Sequence, residues 1–143
     1  KVAASTLRLL SESLGLNRGA LTLLDDRTSE LAIRAAYGMT TEEIRRGKYK
    51  VGEGVTGKVV KTGVPIIVPK IGSEPLFLDR TGSRKKLAKE DISFISVPIR
   101  LSGRVIGVLS VDRVFSEDVS FDKDIRFLSI VAGIFSSALP PPP

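Results

Sequence analysis

The choice between two kinds of fold rests on the segment GEGVTGKVVKTG, which runs from Gly52 to Gly63. It satisfies the G-x-G-x-x-G pattern of dinucleotide-binding folds, and it matches the P-loop pattern G-x-x-x-x-G-K-[ST] at every position but the last. Either pattern requires a buried apolar strand before the glycines and a long helix after them, within a parallel sheet. The alternative is a glycine-rich turn that leads into a short helix.

The residues on both sides of this segment argue against nucleotide binding. Residues 45–51, RRGKYKV, are too polar for the central strand of a parallel sheet. The following helix can extend only from about Val55 to Thr62, because Gly63-Val64-Pro65 ends it. Val59 occupies the position of the hydroxyl that would bind magnesium. We therefore predict a tight turn into a short helix, with Val55 and Val59 facing inward.

Hydrophobic periodicity outside this segment predicts an α+β domain with a central antiparallel sheet. The expected order is a helix over 2–14, strands at 20–26 and 30–38, a short capped helix over 40–46, an edge strand between residues 65 and 69, a long polar loop over 70–90, strands at 92–101 and 104–114, and a helix over 121–139. The last two strands are mostly apolar, which indicates cover on both faces. We expect the N- and C-terminal helices on one face and loops with short helices on the other.

The composition of the 143 residues narrows the possible chemistry. They include no Cys, His or Trp, which excludes thiolate and imidazole nucleophiles, Cys/His zinc sites and haem held by these residues. The adjacent acidic pairs Asp25-Asp26 and Glu42-Glu43 lie in a turn and at a helix start, where capping and solvation explain them. We therefore predict no catalytic residue, no metal site and no cofactor.

Charge and hydropathy bear on partners and location. The net charge is +6, but the basic residues form short clusters without interleaved aromatic residues, as on a solvated surface. We therefore expect no direct binding of nucleic acid. No apolar run approaches the roughly 20 residues that span a bilayer. We expect a cytoplasmic domain without membrane contact.

The final helix carries two apolar stripes. One stripe contains Ile125, Leu128, Val131 and Phe135, and the other contains Phe127, Ile130, Ile134 and Ala138. Since one sheet face covers only one stripe, either the helix is deeply buried or the second stripe contacts a partner. We predict a homodimer through the terminal helices. Its expected interface is formed by Leu7, Leu10, Phe127, Ile130, Ile134 and Ala138.

These segments, in this order, resemble a GAF domain over nearly the whole chain. The resemblance is carried by residues 52–69, GEGVTGKVVKTGVPIIVP, by residues 93–113, SFISVPIRLSGRVIGVLSVDR, and by the final helix. Residues 74–82, EPLFLDRTG, together with 92–121, are similar to the N-terminal sensory GAF domain of NifA-type sigma-54-dependent transcription activators.

The resemblance implies a particular domain organisation. A non-catalytic regulatory domain would span residues 1–139, and residues 140–143 would begin a proline linker or an artificial tail. In the full-length protein the domain would control a downstream AAA+ ATPase.

The resemblance also implies a small-molecule effector, which GAF domains bind between the sheet and its outer loops. A 2-oxo acid is favoured, because some NifA-type domains respond to 2-oxoglutarate. Cyclic nucleotides are an alternative, although their N-K…F-x-x-x-D-E motif survives only in part, as Asp112-Arg113 and Phe121 with Asp124. We expect a salt bridge between Arg113 and Asp124. Another alternative is a ligand-free module that acts through dimerisation or a PII-type protein partner.

The candidate ligand-binding residues lie in the long loop, the glycine turn and the strand that begins at residue 92. Arg80 and Arg84 are the expected carboxylate partners, because a guanidinium can grip a carboxylate at two points. The other candidates are Thr81 and Phe77 in the loop, Thr56 and Gly57 as an anion-binding turn, and Phe94 and Ser96 in the strand. Because this strand is apolar on both faces, its pattern does not show whether Phe94 or Ile95 points to the pocket.

Overall fold

The structure is a computed structural model, and it describes residues 5–9, 12, 16–69, 71, 92–114 and 121–138. The strands are β1 Leu16–Asp25, β2 Glu30–Tyr37, β3 Lys48–Lys50, β4 Ile66–Val68, β5 Ile92–Leu101 and β6 Arg104–Val114. The helices are α1 Thr41–Arg46, α2 Gly54–Thr62 and α3 Phe121–Ala138, and residues 5–9 are helical as well. The predicted α+β class is confirmed.

The strands form one antiparallel sheet in the order β3-β2-β1-β6-β5-β4. Two hairpins, β1-β2 and β5-β6, meet at its centre, where β1 pairs with β6. The three-residue strands β3 and β4 lie at the edges. The polar segment before the glycine turn thus contains the edge strand β3. Prolines flank the other edge strand, β4. Proline suits an edge because one side of an edge strand has no neighbouring strand to accept from its amides.

The two faces of the sheet bury different sets of side chains, because alternate residues of a strand point to opposite sides. On one side, the α3 face, strand residues pack with Leu7 and the buried stripe of α3. This layer contains Leu7, Leu21, Ile95, Val97, Ile99, Leu109, Val111, Leu128, Val131, Ala132 and Phe135. On the other side, the α2 face, helix α2 contributes Val55 and Val59, which are 3% and 0% exposed. The prediction that these two valines face inward is confirmed.

The glycine segment forms the turn and the ends of α2. Gly52 and Gly63 have φ angles of 88° and 70°, which side chains with a β-carbon rarely adopt. Gly63 ends the helix in the left-handed conformation, and its amide donates to the Val59 carbonyl at 2.8 Å. These glycines shape the backbone, which explains why the segment matches nucleotide-binding patterns without their surrounding elements.

Helix α1 begins with the predicted capping chemistry. The Glu43 amide donates to Thr40 Oγ1 at 3.1 Å, and the Thr40 amide donates to Glu43 Oε1 at 2.8 Å. This reciprocal pair satisfies amides that lack partners within the helix. The short capped helix after β2 is thus confirmed.

One residue of β5 contacts helices in both layers. The Arg100 guanidinium donates to the Gly63 carbonyl at the end of α2, at 2.7 Å. The Arg100 carbonyl accepts from the Ser136 hydroxyl of α3 at 2.5 Å. The C-terminal turn of each helix is therefore bound to the same strand residue.

Candidate functional site

A row of polar side chains crosses the middle of the α2 face. It consists of Arg18 on β1, Ser110 and Asp112 on β6, and Ser96 on β5, and we call it the polar row. The strand register places Asp112 beside Arg18 and Ser110 beside Ser96. Residues far apart in sequence thus meet on three adjacent strands of the sheet.

The polar row contains one ion pair and one hydroxyl pair. Arg18 Nη1 lies 3.9 Å from Asp112 Oδ2, and the side chains are 14% and 1% exposed. The Ser96 and Ser110 hydroxyls are hydrogen-bonded at 3.1 Å, and both serines are buried. Burial of a carboxylate is unfavourable unless a cation or hydrogen bonds compensate for lost hydration, and Arg18 supplies the cation. The row therefore presents guanidinium and hydroxyl groups in a low-dielectric setting.

Two apolar clusters lie along the same face. The first contains Val55, Val68, Ile71, Ile92 and Phe94, and the second contains Leu31, Val59, Val60 and Val108. Ser110 lies two residues after Val108 on β6, and Ser96 lies two residues after Phe94 on β5, so each serine is next to an apolar residue on the same face. Apolar walls around a few polar groups are typical of small-molecule sites.

Two of the predicted ligand-binding residues, Phe94 and Ser96, lie on the α2 face. They are 5% and 0% exposed, and Ser96 belongs to the polar row. Ile95 points to the α3 face instead. Phe94, and not Ile95, is therefore on the same face of the sheet as Ser96, and its place in a ligand pocket stays a prediction.

The predicted anion-binding residues Thr56 and Gly57 lie in the first turn of α2. The Gly57 amide donates to the Glu53 carbonyl at 2.9 Å, because the residue lies within α2. The Gly57 carbonyl accepts from the Gly52 amide at 2.8 Å. The Thr56 side chain is buried. The Gly57 amide is thus used within the helix, and anion binding by Thr56 and the amides around Gly57 stays a prediction.

The remaining predicted ligand residues, Phe77, Arg80, Thr81 and Arg84, lie outside the described residues. Arg18 and Ser110 are not among the residues predicted from the sequence, and Asp112 is predicted only as part of a cyclic-nucleotide motif. The period-two spacing of Ser110 and Asp112 within an apolar strand was the available signal. Arg18 lies outside the predicted first strand, which begins at residue 20, whereas β1 begins at Leu16.

The expected salt bridge between Arg113 and Asp124 is confirmed. Arg113 Nη1 lies 2.5 Å from Asp124 Oδ2, and the two side chains are 19% and 14% exposed. It joins β6 to the first turn of α3. The pair resembles the Arg18–Asp112 pair in burial, but it lies at α3 and away from the polar row.

The second apolar stripe of α3 is exposed in the single chain. Phe127, Ile130 and Ile134 are 42%, 64% and 60% exposed. Leu7, predicted to join them in a dimer interface, is fully buried in the core, and that expectation is wrong. Leu10 and the side chain of Ala138 lie outside the described residues.

The described part of the chain contains neither a cluster of metal-binding side chains nor a helix able to span a membrane. Within those residues, no group of three or more acidic, His or Cys side chains is placed to hold a metal ion. None of the helices described there has both the length and the apolarity needed to cross a bilayer.

Comparison with known proteins identifies the class of domain that this fold and site define. The chain belongs to the GAF domain family, whose model matches residues 1–139. The Nif-specific regulatory protein of Azospirillum lipoferum is 38% identical over 135 residues, covering 93% of this chain and 22% of that protein. The nitrogen fixation protein VnfA of Azotobacter vinelandii is 37% identical over 134 residues, covering 93% of this chain and 26% of that protein. The chain therefore spans about a quarter of these relatives' length or less.

Solved structures share the fold. The GAF domain of A. aeolicus nlh2, in an inactive state, superimposes with a TM-score of 0.83 at 25% identity, covering 94% of this chain and 80% of that chain. A free methionine-R-sulfoxide reductase from Neisseria meningitidis, in complex with its substrate, gives a TM-score of 0.75 at 25% identity, with 94% and 73% coverage. The match of the family model confirms the predicted GAF family, and the two curated relatives confirm the predicted resemblance to nitrogen-fixation regulators.

Proposed function

We propose that this chain is a non-catalytic sensory domain of a NifA-like, sigma-54-dependent transcription activator, and that it binds a small effector on the α2 face. The relatives named above are regulators of nitrogen fixation, and they match the chain over nearly its whole length. The observation that carries the binding proposal is the buried polar row between two apolar clusters. A 2-oxo acid such as 2-oxoglutarate is the leading ligand, because guanidinium and hydroxyl groups bind carboxylates well.

We propose that the domain does not catalyse a reaction, although a similar fold serves a reductase. GAF-type methionine sulfoxide reductases need cysteine, and these 143 residues contain none. The acidic pairs serve structural roles. Asp25 accepts from a turn amide at 2.9 Å, Asp26 pairs with Arg104, and Glu43 caps α1. These contacts indicate that the acidic pairs stabilise a turn and a helix start, and they support a structural role over acid/base chemistry.

The exposed stripe of α3 supports a homodimer. Phe127, Ile130 and Ile134 follow i, i+3, i+7 spacing, so they lie on one side of the helix. In this proposal effector binding favours one packing of the paired α3 helices over another. Since the chain covers only 22% and 26% of its relatives, we propose that the full-length cytoplasmic protein continues into the AAA+ module under its control.

Ligand binding is tested by thermal unfolding with millimolar 2-oxoglutarate, cGMP or cAMP. We expect 2-oxoglutarate to raise the unfolding temperature, because a ligand at 100 times its Kd stabilises the folded state by about 2.7 kcal/mol. Glutarate, which lacks the 2-oxo group, is the matched control and is expected to give a smaller shift. A shift with a cyclic nucleotide instead would replace the leading ligand. No shift with any compound would favour a ligand-free dimeriser or a domain controlled by a PII-type protein.

The homodimer is tested by sedimentation velocity of the wild type and of Ile130→Ser. We expect the substitution to raise the dissociation constant at least about 10-fold, because a central apolar contact is lost from the interface. Val64→Ser is the control, since Val64 is 58% exposed but lies outside α3. A chain that stays monomeric at 100 micromolar concentration, or an unchanged constant for Ile130→Ser, would contradict the proposal.

A further inference from the structure

The placement of Arg18 distinguishes it from the other members of the polar row. It is paired with Asp112 across β1 and β6, but the Arg18 side chain is 14% exposed and the Asp112 side chain is 1% exposed. The Arg18 side chain is thus the more exposed member of the pair and the Asp112 side chain the more buried one. An incoming ligand on the α2 face would therefore meet Arg18 before Asp112.

We infer that Arg18 anchors a carboxylate of the effector and that Asp112 holds the guanidinium in position, an inference that rests on the proposed ligand-binding function. A guanidinium has five N–H donors, more than one carboxylate can engage, so it can serve Asp112 and a ligand together. The Nη1–Oδ2 separation of 3.9 Å is that of an ion pair. Asp112 is a positioning residue in this arrangement.

The serine pair extends the site along the same face. The hydroxyls of Ser96 and Ser110 form one hydrogen bond of 3.1 Å, in which either can be the donor. The hydroxyl that accepts this bond keeps its own proton for another acceptor. A ligand oxygen beside these serines would receive that proton. A ligand whose carboxylate binds Arg18 and whose neighbouring oxygen accepts from the serine pair thus matches the order of groups along the row.

The neighbouring groups also restrict the ligand class. The apolar side chains of Phe94 and Val108 flank the row and suit a short carbon chain. The polar row contains one cation, Arg18, whose charge is balanced by Asp112, so it offers no excess of positive charge for a polyphosphate. The site is therefore suited to a small carboxylic acid.

The anchor is tested by titration calorimetry of Arg18→Gln and Arg18→Lys with 2-oxoglutarate, pyruvate and inorganic phosphate as probes. We expect Arg18→Gln to weaken carboxylate binding about 10- to 100-fold, the range expected for losing hydrogen bonds to a charged group. Arg18→Lys keeps the charge but loses the planar fork, so an intermediate loss is expected. If Arg18→Gln fails to unfold cooperatively, the lysine variant decides the question.

Arg113→Gln is the matched control. It removes a partly buried arginine–aspartate pair at α3, with side chains 19% and 14% exposed, and should leave ligand affinity unchanged. Asp112→Asn is expected to weaken binding less than Arg18→Gln, because it loosens the guanidinium without removing it. An equal loss in Arg113→Gln would mean that affinity follows stability, and it would overturn the anchor.

The outcomes separate this inference from the proposed function. If 2-oxoglutarate binds equally to the wild type and to both Arg18 variants, the domain senses 2-oxoglutarate but Arg18 is not its anchor. If pyruvate binds in an Arg18-dependent manner and 2-oxoglutarate does not, the anchor is supported and the proposed ligand falls. If only phosphate binds, or if no probe binds the wild type, the inference of a carboxylate anchor is overturned.

Discussion

Replacing Gly57 by alanine is expected to destabilise the domain by about 3 kcal/mol, at the upper end of the usual range for overpacking. A β-carbon on Gly57 would lie 2.3 Å from the Lys50 carbonyl oxygen and 2.9 Å from the Gly52 amide nitrogen. Both obstacles are backbone, which cannot rotate away as a flexible side chain can. The Lys50 carbonyl also accepts from the Glu53 amide at 2.9 Å. Alanine would therefore displace α2 from the turn, together with its buried valines.

This effect is measured by chemical denaturation of Gly57→Ala, with Gly133→Ala as the control. A β-carbon on Gly133 would meet no atom within 4 Å, and alanine favours a helix more than glycine does. We expect the control to gain about 0.5–1 kcal/mol. Both are compared at a protein concentration where the chain is monomeric, because Gly133 is exposed on α3. Wild-type stability in Gly57→Ala would show that α2 does not rest on this turn.

Replacing Phe135 by alanine is expected to lower the free energy of unfolding by about 3–5 kcal/mol. Phe135 is 5% exposed and packs in the α3-face layer with Leu128 and the strand residues of β5. Truncation removes apolar contacts and leaves a cavity that the closely packed sheet can fill only in part. Denaturant titration of the monomer gives the value directly.

Phe127→Ala is the matched control, with the same residue type on the same helix. Phe127 is 42% exposed, so its truncation should reduce the stability of the monomer by less than about 1 kcal/mol. The same variant is expected to weaken self-association, whereas Phe135 contributes to the folding of each chain. Equal stability losses for the two variants would mean that Phe127 is as buried in the monomer as Phe135, which would contradict the exposure of the second stripe.

Features governed by local chemistry could be predicted from the sequence. The Thr40–Glu43 capping pair depends on residues three apart, and the start and stop of α2 depend on adjacent glycines. Alternation and turn residues likewise identified β5, its hairpin partner and the edge position of β4. In each of these cases the signal lies within a few residues of the element it determines.

Features that depend on pairing between distant strands could not be predicted. Arg18 and Asp112 meet only because β1 pairs with β6, and nothing near either residue specifies that register. Phe94 and Ile95 are both apolar, so their residue types do not show which face of the sheet each one occupies. Only the packing of α3 against Ile95 distinguishes the two faces. Helical spacing around Leu7 showed an apolar face but not whether its own chain or a partner covers it.

The contacts of Arg100 tie the two layers of the domain together mechanically. Its carbonyl is held by Ser136 near the end of α3, and its guanidinium holds Gly63 at the end of α2. A slide of α3 along its own axis would pull on β5 at this residue and, through the guanidinium, on the last turn of α2. Arg100 therefore couples the ends of the two helices through the sheet. A shift of either helix end would strain the hydrogen bond that Arg100 makes with it.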